Sequence, residues 1–186
     1  MSEILVGVSG SIAAYKAADL VSRLRKHDHG VRVVMTEGAS RFVTPLTFQA
    51  LSGNPVEDSL WRIDTANRPE HIDLADRTDL MVIAPTTANV IAKIAAGIAD
   101  EILTATVLVV ATTTPVLIAP AMNTRMWENP ITQRNLGTLR DLGYRVIEPD
   151  AGRLACGDVG PGRMAEPEAI VERVEEILSG MPTDAG

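Results

Sequence analysis

Ile4-Leu5-Val6-Gly7-Val8-Ser9-Gly10-Ser11-Ile12 is the stretch that decides the fold. Ile4 to Val8 is apolar with no polar alternation, a pattern a strand shows when both of its faces are buried, as in a parallel sheet. Ser9-Gly10-Ser11 makes a tight turn. From Ile12 to about His27 the apolar residues fall at helical spacing, with Ser11 as N-cap and Gly30 as the stop. Val31 to Met35 is a second strand, so the opening of the chain reads as a βαβ unit.

Working outward, Leu80–Ala84, Pro115–Ile118 and Tyr144–Ile147 repeat the buried-strand pattern, and helices are expected between them. Thr44-Pro45 opens a short helix ended by Gly53. An alanine-rich helix runs to Gly97, another covers Ile98–Val110, Asn129-Pro130 opens one closed by Gly143, and Pro167 starts the last, which ends near Leu178. This alternation predicts one α/β domain over residues 1–180. It is a doubly wound parallel sheet, a Rossmann/flavodoxin-like three-layer α/β/α sandwich of about five to six strands. Residues 181–186 read as a frayed tail, and 54–70 as irregular, with Trp61 packing as an isolated apolar anchor. Residues 149–164, rich in glycine and proline, read as a mobile loop of the kind that forms lids.

The 186 residues carry a net charge of −7, a poor basis for binding nucleic acid. Apolar residues make up 46% and aromatic ones only 3%, so the core is aliphatic. The single cysteine, Cys156, excludes an internal disulfide and a cysteine metal cluster, and with no signal peptide the chain reads as cytoplasmic. Ile102–Met122 has no charge and the length of a membrane span, but its five threonines and two prolines favour a helix, a loop and a buried strand. No metal and no membrane partner are expected.

Ligands of open α/β sheets bind beyond the carboxyl ends of the strands. Three turns there carry small or hydroxyl residues: Ser9–Ser11, Thr36–Ser40 and Thr86–Asn89. They outline a phosphate pocket and a flat cleft, although each also reads as an ordinary capped turn. Gly7-Val8-Ser9-Gly10-Ser11-Ile12 fails the Gly-x-Gly-x-x-Gly dinucleotide fingerprint, which disfavours a nicotinamide dehydrogenase. Beyond the fourth strand lies Ala119-Pro120-Ala121-Met122-Asn123-Thr124-Arg125-Met126-Trp127, an unusual cluster for a plain connection. His27 and His29, at a polar helix end, read as solvated. His71 opens a short amphipathic turn, and catalytic and structural roles are both open to it. For Cys156, nucleophile, proton donor and no role are all open. The residues by themselves reach a nucleotide-like cofactor, flavin among the candidates.

Pro120 to Trp127 resembles the P-x-M-N-x-x-M-W motif of the homo-oligomeric flavin-containing cysteine decarboxylases. Ser9-Gly10-Ser11-Ile12-Ala13, His71-Ile72-Asp73-Leu74, Ala84-Pro85 with Ala88-Asn89, and Leu154-Ala155-Cys156-Gly157-Asp158 look like further blocks of that family, so the resemblance covers nearly the whole chain. It implies FMN bound non-covalently, with its phosphate near Ser9, Gly10 and Ser11. Further contacts would come from Thr36, Ser40, Thr87, Ala88, Asn89 and Ala121; no role is implied for Glu37. It implies His71 as catalytic base, Asn123 holding the substrate's carboxylate or amide, and Met122 and Met126 shaping the apolar side. The chemistry implied is decarboxylation of a cysteine carboxylate through a thioaldehyde and an enethiolate. Cys156 matches the family cysteine that donates a proton when the enethiol is reduced, which favours the branch acting on phosphopantothenoylcysteine in coenzyme A synthesis. A chain ending at residue 186, without the synthetase domain to which many such enzymes are fused, suits instead a decarboxylase of a ribosomal peptide's C-terminal cysteine. A non-catalytic FMN-binding regulatory subunit would not need His71, Asn123 and Cys156 together. A prenyl-transferring flavoprotein is disfavoured by the Pro120–Trp127 block. The resemblance also implies a homotrimer or homododecamer with flavin at the subunit interface, where His71 serves a neighbour.

Overall fold

The computed structural model of the chain describes residues 1–61, 70–155 and 157–181, with Glu70 and His71 as backbone only. In chain order the elements begin β1 (Glu3–Val8), α1 (Ala14–Lys26), β2 (Gly30–Met35), α2 (Glu37–Ser40), α3 (Pro45–Ser52) and β3 (Val56–Glu57). They continue with α4 (Glu70–Asp76), β4 (Leu80–Thr86), α5 (Ala88–Ala96), α6 (Ile102–Val110), β5 (Val116–Pro120) and α7 (Thr124–Trp127). The last are α8 (Pro130–Asp141), β6 (Arg145–Val146), β7 (Asp150–Arg153), β8 (Val159–Arg163) and α9 (Pro167–Ser179).

Six strands form one parallel sheet in the order β3-β2-β1-β4-β5-β6. The chain lays strands outward from β1 to β3, then crosses back and lays β4 to β6 on the other side. The direction therefore reverses between β1 and β4, and this is where a doubly wound sheet opens its ligand crevice. The order is that of the Rossmann fold, reached without the glycine fingerprint.

Period-two alternation explains the unbroken apolar run of β1. Ile4, Val6 and Val8 enter the core layer under α1, α3 and α9, and Leu5 enters the opposite layer with α5, α6 and α8. Gly7 also faces that second layer, where a Cβ would stand 2.6 Å from Leu103 Cδ1, so α6 lies directly on the strand. Buried nearly all round, α6 satisfies its two interior threonines locally: Thr104 donates to Glu101 O at 3.2 Å and Thr106 to Ile102 O at 2.7 Å. Ile102–Met122 is thus helix, turn and β5. Among the described residues no helix is long and apolar enough to cross a membrane.

Several details depart from the expectations. α1 ends at His27, with Asp28 in the left-handed region (φ 61°), and Gly30 begins β2. A Cβ at Gly30 would meet the Glu3 carboxylate, the far end of an exposed side chain that can turn aside. Asp100 and Glu101 precede α6 and pair with Lys93 at 2.8 and 3.1 Å. His29 is 5% exposed and His27 half-exposed, and both reach Glu175 Oε1 on α9, at 2.9 and 3.2 Å, so they are not simply solvated. Trp61 is 86% exposed and does not pack. The expected loop over 149–164 is the antiparallel hairpin β7–β8, with Gly152 opposite Gly160. Two of its glycines follow from close packing, since a Cβ at Gly160 would lie 2.8 Å from Thr124 Oγ1 and one at Gly162 would run into Met122 O.

Candidate functional site

A cavity of about 730 Å³ opens over the carboxyl ends of β1, β2, β4 and β5, at the switch point. Its floor is main chain. The turn after β1 meets the turn after β2 so closely that a Cβ at Gly10 would stand 2.9 Å from the Gly38 carbonyl carbon. Ser9 lies beneath that floor. Its hydroxyl donates to Pro85 O at 2.8 Å and accepts from Thr87 N–H at 3.0 Å, bracing β1 against β4. The first turn of α1 follows, with Ser11 Oγ accepting from Ala13 N–H at 3.2 Å. On the other sides Thr36 caps α2 by accepting from Ala39 N–H at 3.1 Å, and Thr87 caps α5 by accepting from Val90 N–H at 3.3 Å.

Of the residues expected at a cofactor, Gly10, Ser11, Thr36, Thr87, Ala88, Asn89 and Ala121 line this cavity; Ser9 and Ser40 do not. Ser9 is buried with its hydroxyl engaged as above, and Ser40 ends α2, half-buried. Met122, Asn123 and Met126 line the cavity from the β5–α7 side. Trp127, at the end of that segment, is buried in the second core layer and anchors it. Asn123 is the N-cap of α7: its Oδ1 accepts from Arg125 N–H at 2.8 Å and its Nδ2 donates to Asp158 Oδ2 at 3.0 Å. The His71 backbone sits in α4, while its side chain and Cys156 lie outside the described residues.

The β7–β8 hairpin forms the roof. Met122 N–H donates to Gly162 O at 3.0 Å and Thr124 Oγ1 to Pro161 O at 2.8 Å. Its end is tied to α1 through Glu166, which meets Lys16 Nζ at 2.7 Å and Arg163 Nη2 at 3.0 Å. The Lys16 hydrogen bond and charge, helped by Arg163, hold the Glu166 carboxyl below the usual glutamate value.

Lys16, Arg163, Arg153 and Glu101 therefore face the cavity together, a charged set that sequence reasoning missed. The only available signal was the i, i+3 spacing of Arg163 and Glu166. Ile12 and Tyr15 also line it while 61% and 62% exposed. Their helical spacing reads as core, whereas they form an apolar lip. Among the described residues no group of three or more His, Cys, Asp or Glu is placed to hold a metal ion. The arrangement offers a flat slot of small residues, a glycine floor admitting close approach, and an amide held at the roof.

Comparison with known proteins agrees with this geometry. The probable phosphopantothenoylcysteine decarboxylase of Streptococcus mutans is 48% identical over 176 residues, 95% of this chain and 98% of that protein. The coenzyme A biosynthesis bifunctional protein CoaBC of Vibrio vulnificus is 49% identical over 180 residues, 97% of this chain but 44% of that protein. The chain thus spans less than half the length of that bifunctional relative. Among solved structures, a PPC decarboxylase mutant complexed with pantothenoylaminoethenethiol superposes with TM-score 0.84 at 36% identity, covering 96% of this chain and 99% of the other. The FMN-dependent cysteine decarboxylase SpaF gives 0.83 at 34%, covering 97% and 98%. Residues 1–179 match the family described as Flavoprotein, and the chain belongs to it.

Proposed function

We propose that residues 1–180 form an FMN-binding unit that decarboxylates phosphopantothenoylcysteine in coenzyme A biosynthesis. The observation that carries this reading is the cavity, which Met122, Asn123 and Met126 line together with the closely packed Gly10 and Gly38. The floor fits a flavin: no Cβ intrudes where main chain approaches, and Ala88 and Ala121 flank a slot suited to a flat ring. Ser11 and the start of the 13-residue helix α1 offer hydroxyl and N–H groups to a phosphate. Gly10, Ser11, Thr36, Thr87, Ala88, Asn89 and Ala121 would hold FMN, with Ser9 bracing from below. FMN, when bound, would supply the two-electron oxidation that makes the cysteine side chain an electron sink and the matching two-electron reduction after CO₂ leaves.

The chain's residues supply the rest. Asn123 donates to the substrate carboxylate, aligning the bond to be broken with that sink. Met122 and Met126 shape the apolar side of the site. His71 takes the proton, and Cys156 returns one to the enethiolate after CO₂ leaves. The exposed Ile12 and Tyr15 beside the cavity suit burial against a second copy, in a homotrimer or an assembly of trimers. A cytoplasmic location goes with this reading. A second reading is decarboxylation of a peptide's C-terminal cysteine; the likeness to SpaF, an FMN-dependent cysteine decarboxylase, at TM-score 0.83 against 0.84 for the PPC decarboxylase mutant fits either substrate.

Mass spectrometry of the products from phosphopantothenoylcysteine tests the choice. Loss of CO₂ alone is expected. Loss of CO₂ with two hydrogens would remove the reduction step and the Cys156 role, and no reaction by the yellow protein would favour the peptide. His71→Asn is expected to keep the yellow colour and lose turnover, and Cys156→Ser to stall after CO₂ loss.

A further inference from the structure

Three consecutive residues of the segment leading into α7 are each bonded to the hairpin, and the middle bond differs in kind. Met122 and Thr124 donate to carbonyl oxygens of Gly162 and Pro161. Asn123 donates to a carboxylate, Asp158 Oδ2, at 3.0 Å. Asp158 sits where the hairpin turns, its own carbonyl accepting from Leu154 N–H at 2.8 Å.

Two partners of Asn123 constrain its amide from opposite ends. An ionised carboxylate only accepts and a main-chain N–H only donates. Arg125 N–H, 2.8 Å from Oδ1, therefore demands oxygen on the α7 side, and Asp158 demands the amino group on the hairpin side. Of the two flips of the amide, this pair of contacts permits one. The reverse flip would turn a carbonyl oxygen toward an incoming carboxylate, which repels it.

We propose that Asp158 is the positioning residue of this site, holding Asn123 with its donor end toward the substrate carboxylate. This rests on the role given to Asn123 above. Asp158 acts through the amide and need not touch the substrate. Its charge works against an anionic substrate, so replacing the carboxylate with a neutral acceptor separates orientation from charge. The Met122–Gly162 and Thr124–Pro161 bonds do not involve Asp158, so the hairpin stays docked when its side chain is removed.

The test uses the flavin-loaded protein with Asp158→Ala, Asp158→Asn, Asn123→Ala and the double variant Asp158→Ala/Asn123→Ala. Asp158→Ala is expected to keep the flavin spectrum and the melting temperature. It should lower kcat/KM for phosphopantothenoylcysteine by about 10- to 100-fold, the value of a hydrogen bond to a charged group. Asp158→Asn retains an acceptor and should restore kcat/KM to within about tenfold of wild type. The double variant should be no worse than Asn123→Ala, within about twofold. An equal loss from Asp158→Ala in both backgrounds would overturn the proposal, because a merely structural role does not depend on Asn123. The side-chain amide NMR signals of Asn123, identified by their disappearance in Asn123→Ala, give a readout independent of turnover. They should shift in Asp158→Ala, and unchanged signals would overturn the proposal. If wild type decarboxylates neither phosphopantothenoylcysteine nor a cysteine-terminated peptide, the functional reading fails. The amide signals still decide whether Asp158 sets Asn123.

Discussion

The floor and the roof of the cavity are built by opposite means. The floor is main chain from three strand ends, locked by glycine contact and by one buried hydroxyl, Ser9, shared between β1 and β4. The roof is a short hairpin whose residues are largely exposed, held by a few hydrogen bonds to residues 122–124 and one ionic tie. Damage to the floor should therefore cost stability and cofactor together, whereas damage to the roof should cost turnover with little loss of stability. Rigid scaffold beneath and adaptable contact above is what a site needs if it must hold one ligand while exchanging another.

The largest effect should come from Gly10→Val. The added side chain meets the Gly38 main chain, which cannot step aside, and overpacking of this kind costs about 1–3 kcal/mol. The protein should purify colourless with a lowered melting temperature; a yellow, fully stable variant would erase the distinction between floor and roof. Next is Ser9→Ala, which leaves the Thr87 N–H without its acceptor and Pro85 O with only the Ser9 N–H at 3.3 Å, for about 1–3 kcal/mol in denaturant melts together with a weaker hold on flavin. Thr124→Val keeps the shape and removes the bond to Pro161 O. It should cost about 1 kcal/mol at most, and limited proteolysis should show the hairpin cut sooner while the sheet stays intact.

The smallest effect belongs to Glu166→Gln. Glu166 is half-exposed, so its ties to Lys16 and Arg163 are worth under about 1 kcal/mol. Its carboxyl titrates below the ordinary glutamate value of 4.5 because Lys16 favours the charged form. With the folded value depressed, this contribution is present at pH above 4.5 and disappears as pH falls through the folded value. Melting curves of wild type and Glu166→Gln should accordingly converge in acid and separate slightly near neutrality.

Most of the floor was legible in the sequence, because β1, β2, β4 and their turns announce themselves through unbroken apolar runs followed by Gly, Ser and Thr. What escaped was the contact between those turns: nothing in Gly10 or Gly38 taken singly says that they meet. The roof was misread. Gly152, Gly160, Pro161 and Gly162 are the residues of a loop by composition. Gly160 and Gly162 are small here because Thr124 and Met122 press against them, a tertiary demand that overrides strand propensity. His29 misled for the same reason, since only α9 packing across α1 buries it against Glu175. β3 was missed because two residues carry no period.

The bracing hydroxyl of Ser9 has a temporal consequence. Its partners lie 76 and 78 positions further along the chain, and β1 takes Leu80–Ile83 as its neighbour on that side. On a growing polypeptide, the first seventy-odd residues have β1, α1 and β2 but no second wall to the crevice. The binding slot comes into being only when β4 docks, a long-range closure that is slow by nature. The cofactor thus cannot template the early steps of folding; it selects the chain only after the sheet has joined across its middle.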